Sequence, residues 1–269
     1  MPVAQQIQID DVYLMDCRDG MRLMADASVD LIVTDPPFAI EFKAKRSNYS
    51  RIGDRVLEGY AEVPRDQYAD FTLEWMSEAR RVLKDSGSMY VFSGWNNLRE
   101  ILNAIADLGL VTVNHIIWKY QFGVATRRKF VTSHYHCLYV CMDDSRRRFY
   151  PDSRYPSRER SVDGRSVRYQ DMEDVWTIPR EYWNGDVKTP TKLPAALVEK
   201  ILQYSSQEGD VVLDPFLGSG QVAVVAQGMG RRYVGFEIVP AYFQFAKRRL
   251  EERTYRIAAD ATQQDLFSG

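Results

Sequence analysis

The sequence predicts an α/β fold, a mostly parallel twisted sheet with helices on both faces. Two observations predict it. Short β-branched apolar runs alternate along the chain with longer segments of helical period, the pattern of strand–helix–strand units. Two of those runs, "VDLIVTD" and "DVVLDPF", read as buried strands, and each delivers an acid near its end, Asp35 and Asp214.

Taken in order, residues 29–35 form the first of these strands. Residues 39–63, "AIEFKAKRSNYSRIGDRVLEGYAEV", are polar, mixed in charge and aperiodic, and read as a long loop. In "DQYADFTLEWMSEARRVLKDSG", Tyr68, Phe71, Trp75, Ala79 and Val82 stand at helical spacing, with Asp66 as N-cap and Gly87 as the stop. Trp75 and Met76 read as core. "SMYVF" is a strand, "NNLREILNAIADLG" a helix closed by Gly109, and "LVTVNHIIWKY" and "HYHCLYVCM" two more strands. His115, in an apolar strand, reads as a satisfied core residue. Periodicity is then lost from Asp143 to Lys188, a stretch rich in Arg, Tyr, Pro, Ser and Gly. It resumes with a helix in "TKLPAALVEKILQYSS", the strand "DVVLDPF", a helix in "SGQVAVVAQGMG", the strand "RRYVGFEI" and a helix in "AYFQFAKRRLEER".

The domain reading follows. Residues 1–120 and 176–255 form one catalytic, ligand-binding domain, 121–175 an inserted Arg-rich region, and 256–269 a C-terminal tail.

The composition is that of a globular chain, 45% hydrophobic and 27% charged over 269 residues. A net charge of -2 implies no partner by itself. Its distribution does: between Gln121 and Gln170 eleven basic residues face five acidic ones. Such asymmetry suits a polyanion. Three cysteines, Cys17, Cys137 and Cys141, make neither a disulfide framework nor a zinc spacing, so a reduced compartment and no metal are expected. No signal peptide is recognised in "MPVAQQIQIDD", and no apolar run approaches the roughly 20 residues that span a bilayer. No membrane association is expected.

Two motifs carry chemistry. In "VVLDPFLGSG", Gly218 and Gly220 lie between a strand and a helix, where backbone approaches a ligand closely, and Glu237 ends the next strand about 20 residues on, where an acid takes ribose hydroxyls. An acid at the tip of the strand, Asp214, suits a cationic ligand with an amino group better than a pyrophosphate. In "VTDPPF", each step into proline holds the chain extended and leaves its carbonyl free. Asp35, Pro36, Pro37 and Phe38 thus offer a carboxylate, a carbonyl acceptor and an aromatic face, a set that fits an exocyclic amine on a planar ring.

"DPPF" followed far downstream by "DPFLGSG" resembles the S-adenosyl-L-methionine (AdoMet)-dependent amino-methyltransferases of DNA, in their permuted class, where the catalytic motif precedes the cofactor motif. The resemblance covers about residues 11–140 and 175–250, including "DCRDGMRLMADASVDLIVTDPPF", "LKDSGSMYVF", "IIWKY", "DVWTIPR" and "TPTKLPAALVEKIL". It implies a Rossmann-like fold and methyl transfer to the N6 amine of an adenine swung out of double-stranded DNA. It implies that Asp35, Pro36, Pro37 and Phe38 hold the base. Asp16 and the Cys17 backbone would read the cofactor adenine. Asp214, Phe216, Gly218, Ser219 and Gly220 would wrap its methionine end beside Asp35, Glu237 would take the ribose, and Thr191 and Lys192 would add polar contacts.

Departures touch the periphery. Thr189-Pro190-Thr191 stands where the family often has His-Pro-Thr, Gln221 where it often has Thr, and His134-Tyr135-His136 where a His-Glu pair is common. Beside a base clamp, the Arg-rich region reads as target recognition, through Arg127, Arg128, Lys129, Arg146, Arg147, Arg148, Arg154 and Arg158, with Tyr150, Tyr155 and Tyr169 interleaved. Lys43 and Arg46 in the 39–60 loop are expected to close over DNA. Cytosine N4 is the nearest alternative target, since its amine has the same geometry, but the family usually carries Ser at the position of Asp35 for cytosine. RNA methylation and a non-catalytic DNA-binding module are the remaining alternatives. The resemblance leaves open a separate cognate restriction endonuclease or an orphan role, and carries an expectation of a homodimer in a cytoplasmic, nucleoid-associated setting.

Overall fold

The structure, a computed structural model, describes residues 6–37, 63–120, 127–128, 130–181 and 192–255. Its elements run β1 (Asp11–Leu14), α1 (Cys17–Arg22), β2 (Val29–Thr34), α2 (Tyr68–Val82), β3 (Leu83–Ser93), a 3-10 turn (Trp95–Asn97), α3 (Leu98–Asp107), β4 (Val111–Lys119), β5 (His134–Cys141), α4 (Val167–Asp171), β6 (Val175–Thr177), α5 (Ala195–Ser205), β7 (Val211–Asp214), α6 (Gln221–Gly228), β8 (Arg232–Glu237) and α7 (Pro240–Glu251). The strands make one sheet in the order β1-β8-β7-β2-β3-β5-β4-β6.

β1, β8, β7, β2 and β3 are parallel neighbours; β5 runs antiparallel between β3 and β4, and β6 pairs parallel with β4. The C-terminal ends of β2, β3, β7 and β8 therefore reach the same edge, where open α/β sheets hold their ligands. One face is covered by α5, α6 and α7 through Leu197, Ile201, Val222, Val225 and Ala246. The other is covered by α1, α2 and α3 through Met21, Trp75, Met76, Ala79, Ile101 and Ile105. The expected α/β class holds, and so does the burial of Trp75 and Met76.

Several expectations are corrected. The strand His134–Cys141 lies inside the sheet between β3 and β4, so residues 121–175 are not one inserted region. Its residues after Cys141 leave at the opposite edge, because β5 runs against its neighbours. Gly87 does not stop α2. The helix ends at Val82 and Leu83 enters β3 at once, with the register shifted between Val29↔Leu83 and Leu31↔Ser88. Gly87 is needed there because an added Cβ would sit 2.9 Å from the Asp30 carbonyl oxygen. The N-cap of α2 is Gln67 rather than Asp66. His115 is exposed and shares a 2.8 Å hydrogen bond with His136, so it is no core residue. β1 and α1 had no counterpart among the strands and helices read from sequence. Among the described residues no helix is long and apolar enough to cross a membrane.

Candidate functional site

β2 is buried at every position and ends at Thr34, so Asp35 and the two prolines emerge at the ligand edge. β7 ends one strand away at Asp214, and β8 next to it at Glu237. Three carboxyl groups from distant parts of the chain thus face a cavity of about 530 Å³, lined also by Asp16, Cys17, Phe71, Lys192, Phe216, Gly218 and Val239.

Each acid is held differently. Asp214 Oδ1 accepts from Thr34 Oγ1 at 3.0 Å and from the Phe216 N–H at 3.1 Å. Glu237 accepts from the Gly218 N–H through Oε2 and the Val239 N–H through Oε1, both at 2.8 Å, and burial still raises its pKa. Asp35 Oδ1 is buried and has no hydrogen-bond partner among the described residues. Burial pushes Asp35 up to about 7, against the nearby positive charge of Arg180. Asp214 is also pushed to about 7, by burial above all and further by the charges of Asp35 and Glu237. Buried acids crowded in this way favour a ligand that brings positive charge and hydrogen-bond donors.

The glycine turn is built for close approach. Gly218 and Gly220 have φ of +52° and +77°, left-handed values that glycine adopts without strain. Gly220 also lies against α7, where an added Cβ would fall 2.8 Å from Ala246 Cβ. From the same helix the buried Arg249 donates to the Ser219 carbonyl at 2.6 Å and to Gln221 Oε1 at 2.7 Å. Phe216 packs edge-on against Trp75, ring centroids 5.4 Å apart, and makes a wall with Phe71.

Asp16 caps α1 and lies in the cavity lining, but Arg18 engages both its oxygens, through Nε at 3.0 Å and Nη2 at 2.9 Å. Burial draws the Asp16 carboxyl upward; the hydrogen bonds and charge of Arg18 outweigh it and hold the pKa below the usual value. Cys17 is buried, and burial raises its thiol pKa. Lys192 reaches Glu181 Oε2 at 2.6 Å, and Glu181 Oε1 accepts from the Ala195 N–H at 2.6 Å, which ties Lys192 to the start of α5.

Sequence reasoning missed the groups around Asp35. The Arg180 guanidinium lies 3.9 Å above the Tyr120 ring and 5.4 Å from the Tyr135 ring. The buried Tyr68 hydroxyl hydrogen-bonds Asn97 and feels the charge of Asp35. "DVWTIPR" held the only signal, a basic residue at the end of a segment that returns to the sheet.

The arginines expected to read DNA separate into two groups. Arg146, Arg147 and Arg148 follow β5 at the edge opposite Asp35 and are engaged there. Arg146 pairs with Asp85 at 2.5 Å, Arg147 with Asp144 at 2.9 Å, and Arg148 with Asp30 at 2.7 Å and Asp210 at 3.1 Å. Arg154 pairs with Asp171 at 2.8 Å and bonds Gln203. They are not brought together with Asp35; acids near in sequence, Asp144 and Asp171, and acids distant in it, Asp30, Asp85 and Asp210, neutralise them. Arg127, Arg128 and Arg158 are exposed. Phe38, Lys43, Arg46, Lys129 and Thr191 lie outside the described residues.

Comparison with known proteins shows the family. The family model described as DNA methylase, covering N6 and N4 enzymes, matches residues 29–248. The chain is 32% identical over 237 residues to the type II methyltransferase M.HpaI of Haemophilus parainfluenzae, covering 86% of this chain and 71% of that protein. It is 30% identical over 239 residues to the type II methyltransferase M2.DpnII of Streptococcus pneumoniae, covering 85% and 84%. In structure it resembles TTHA0409 of Thermus thermophilus, solved in complex with S-adenosyl-L-methionine, with a TM-score of 0.66 at 24% identity over 91% of this chain and 95% of that one. It also resembles the cytosine-N4-specific PvuII DNA methyltransferase, with a TM-score of 0.69 at 17% identity over 93% and 91%. These last two likenesses speak for the fold.

Proposed function

The chain belongs to the DNA methylase family, and within it we propose an AdoMet-dependent enzyme that methylates adenine N6 in a short sequence of double-stranded DNA. One observation carries the reading: the buried, unpartnered Asp35 Oδ1 at the end of β2, open to the same cavity as Asp214 and Glu237.

The cavity residues fit the cofactor. Glu237, pinned by two backbone N–H groups, keeps acceptor capacity for a ribose diol. Asp214 and the Gly218–Gly220 turn suit an ammonium-bearing amino-acid end, and Phe71 and Phe216 supply apolar walls. When bound, AdoMet supplies a methyl group activated by a positively charged sulfur.

The chain's own residues prepare the amine. Asp35 accepts one N–H of the adenine amine and the Pro36 carbonyl the other. That draws the nitrogen towards a pyramidal form and localises a lone pair otherwise delocalised into the ring. With the methyl passing from the sulfonium, which would be left as a neutral thioether, the amine nitrogen would gain a carbon and shed a proton, for which the Asp35 carboxylate is the acceptor at hand. No covalent link to the protein is required; positioning and electrostatics do the work. The carboxylate at the first clamp position favours adenine, since the family usually has Ser there for cytosine.

Methylome sequencing of DNA from cells expressing the chain, beside an Asp35→Ala control, tests this. N6-methyladenine in one short motif, absent from the control, is the expected result. N4-methylcytosine would keep the clamp and overturn the base. No modified base at all would overturn the reading.

A further inference from the structure

β3 runs parallel to β2 with Val91 level with Thr34, which sets Ser93 level with Pro36. The chain then passes Gly94 into the 3-10 turn Trp95–Asn97. That turn is fastened from beneath. Asn97 donates its backbone N–H to the Gly94 carbonyl at 3.2 Å, and its buried side chain bonds Tyr68, the residue that also feels Asp35. Ser93, wholly buried, donates its hydroxyl to the Gly94 carbonyl at 2.8 Å. The turn beside the clamp is held by these bonds, yet the indole it carries is 69% exposed.

Trp75, Trp118 and Trp176 are all buried. A single exposed apolar side chain is ordinary on a protein surface. Trp95 differs in its place, on the lip next to Asp35, and in its company. Lys119 and His134 form the last rung of the β4–β5 ladder and are exposed, as are Arg127 and Arg128, and Phe130 just before β5 is 98% exposed. Exposed cationic and aromatic side chains at one edge of the sheet match a nucleic acid, whose phosphates take the charge and whose bases take the rings.

We propose that Trp95 is a base-stacking residue for duplex DNA, its indole packing on the DNA beside the extruded base and so favouring the extruded state. This rests on the reading of the Asp35 site as a base pocket. Trp95 is not among the residues that line the cavity, so its loss should act on DNA and leave AdoMet binding alone.

The test uses the full chain and a duplex with 2-aminopurine at the methylated position of the motif that methylome sequencing identifies. Fluorescence rises when that base leaves the stack. Wild type is expected to give the rise. Trp95→Leu, apolar but without a π face, is expected to lower the extruded population by roughly ten- to a hundredfold. Trp95→Phe should restore most of it, with AdoMet affinity by calorimetry unchanged in both. A wild-type rise that Trp95→Leu leaves intact overturns the stacking role alone. No rise with wild type overturns the base-pocket reading and the inference with it.

Discussion

Thr34 Oγ1 donates a 3.0 Å hydrogen bond to Asp214 Oδ1, joining the last residue of β2 to the last residue of β7 inside the protein. The bond ties the strand that delivers Asp35, the proposed base clamp, to the strand that leads into the Gly218–Gly220 turn proposed for the cofactor. It also lowers the cost of an ionised Asp214 in a buried place.

Thr34→Val keeps the shape and removes the donor. It should cost about 1–3 kcal/mol of stability, the range for leaving a buried acceptor short of a partner. Asp214 should become harder to ionise, and AdoMet affinity at neutral pH should fall. Thermal unfolding and calorimetry check the two effects; unchanged affinity would mean that Asp214 does not meet the cofactor's charged end.

The parts of the site legible in sequence were those written in contiguous residues. Asp35-Pro36-Pro37 and "DPFLGSG" reach the same cavity because in each the preceding strand sets the edge and proline or glycine sets the backbone that follows. What was not legible depends on parity and pairing across the fold. Arg146–Arg148 read as a basic run for DNA, but antiparallel β5 sends them to the far edge, where Asp30, Asp85 and Asp210 await them. Arg249 was not singled out in the helical stretch "AYFQFAKRRLEER"; its position on α7 turns it inward. Arg180 could only be found once β6 paired with β4 and brought it over Tyr120.

Asp35 gives a pH dependence with a definite sign. Only its carboxylate can take up the proton that the amine sheds, and burial pushes its pKa to about 7. Methyl transfer should therefore fall as pH drops through about 7. Stability runs the other way. A folded pKa above the ordinary 3.8 means that Asp35 is least costly below that pH, and that stability is lost progressively up to about 7. Asp35→Asn should abolish methylation yet unfold at a higher temperature than wild type, with a margin that grows between pH 4 and 7 and is level above. Melting curves at several pH values decide it; a margin constant with pH would mean that Asp35 is ionised throughout.

Arg148 should prove structural. It and Lys84 neutralise the buried carboxylate of Asp30, which also accepts the Val211 N–H at 3.0 Å. Arg148→Ala should destabilise the protein by about 1–3 kcal/mol, below the full cost of breaking a buried pair because the arginine is partly exposed and Lys84 remains. The slope of DNA affinity against salt should not change. Arg127→Ala and Arg128→Ala should each reduce that slope by about one while leaving stability alone. A flattened salt slope for Arg148→Ala would put DNA at the opposite edge of the sheet.

Arg249 should act on the cofactor through the turn it holds. Its hydrogen bonds to the Ser219 carbonyl and to Gln221 hold the chain on both sides of Gly220. Gly220 has a left-handed φ and no room for a Cβ against Ala246, so the turn cannot be remade by a small shift of α7. Arg249→Met keeps most of the packing and deletes the donors, leaving two inward-facing acceptors without a partner. AdoMet affinity should fall roughly tenfold or more, the cost of one to two such bonds, with DNA binding in the absence of cofactor unchanged. Arg249→Lys, which can reach one acceptor, should fall between. If Arg249→Met lowers the melting temperature but leaves AdoMet affinity as in wild type, the arginine supports the fold and the cofactor turn holds its shape without it.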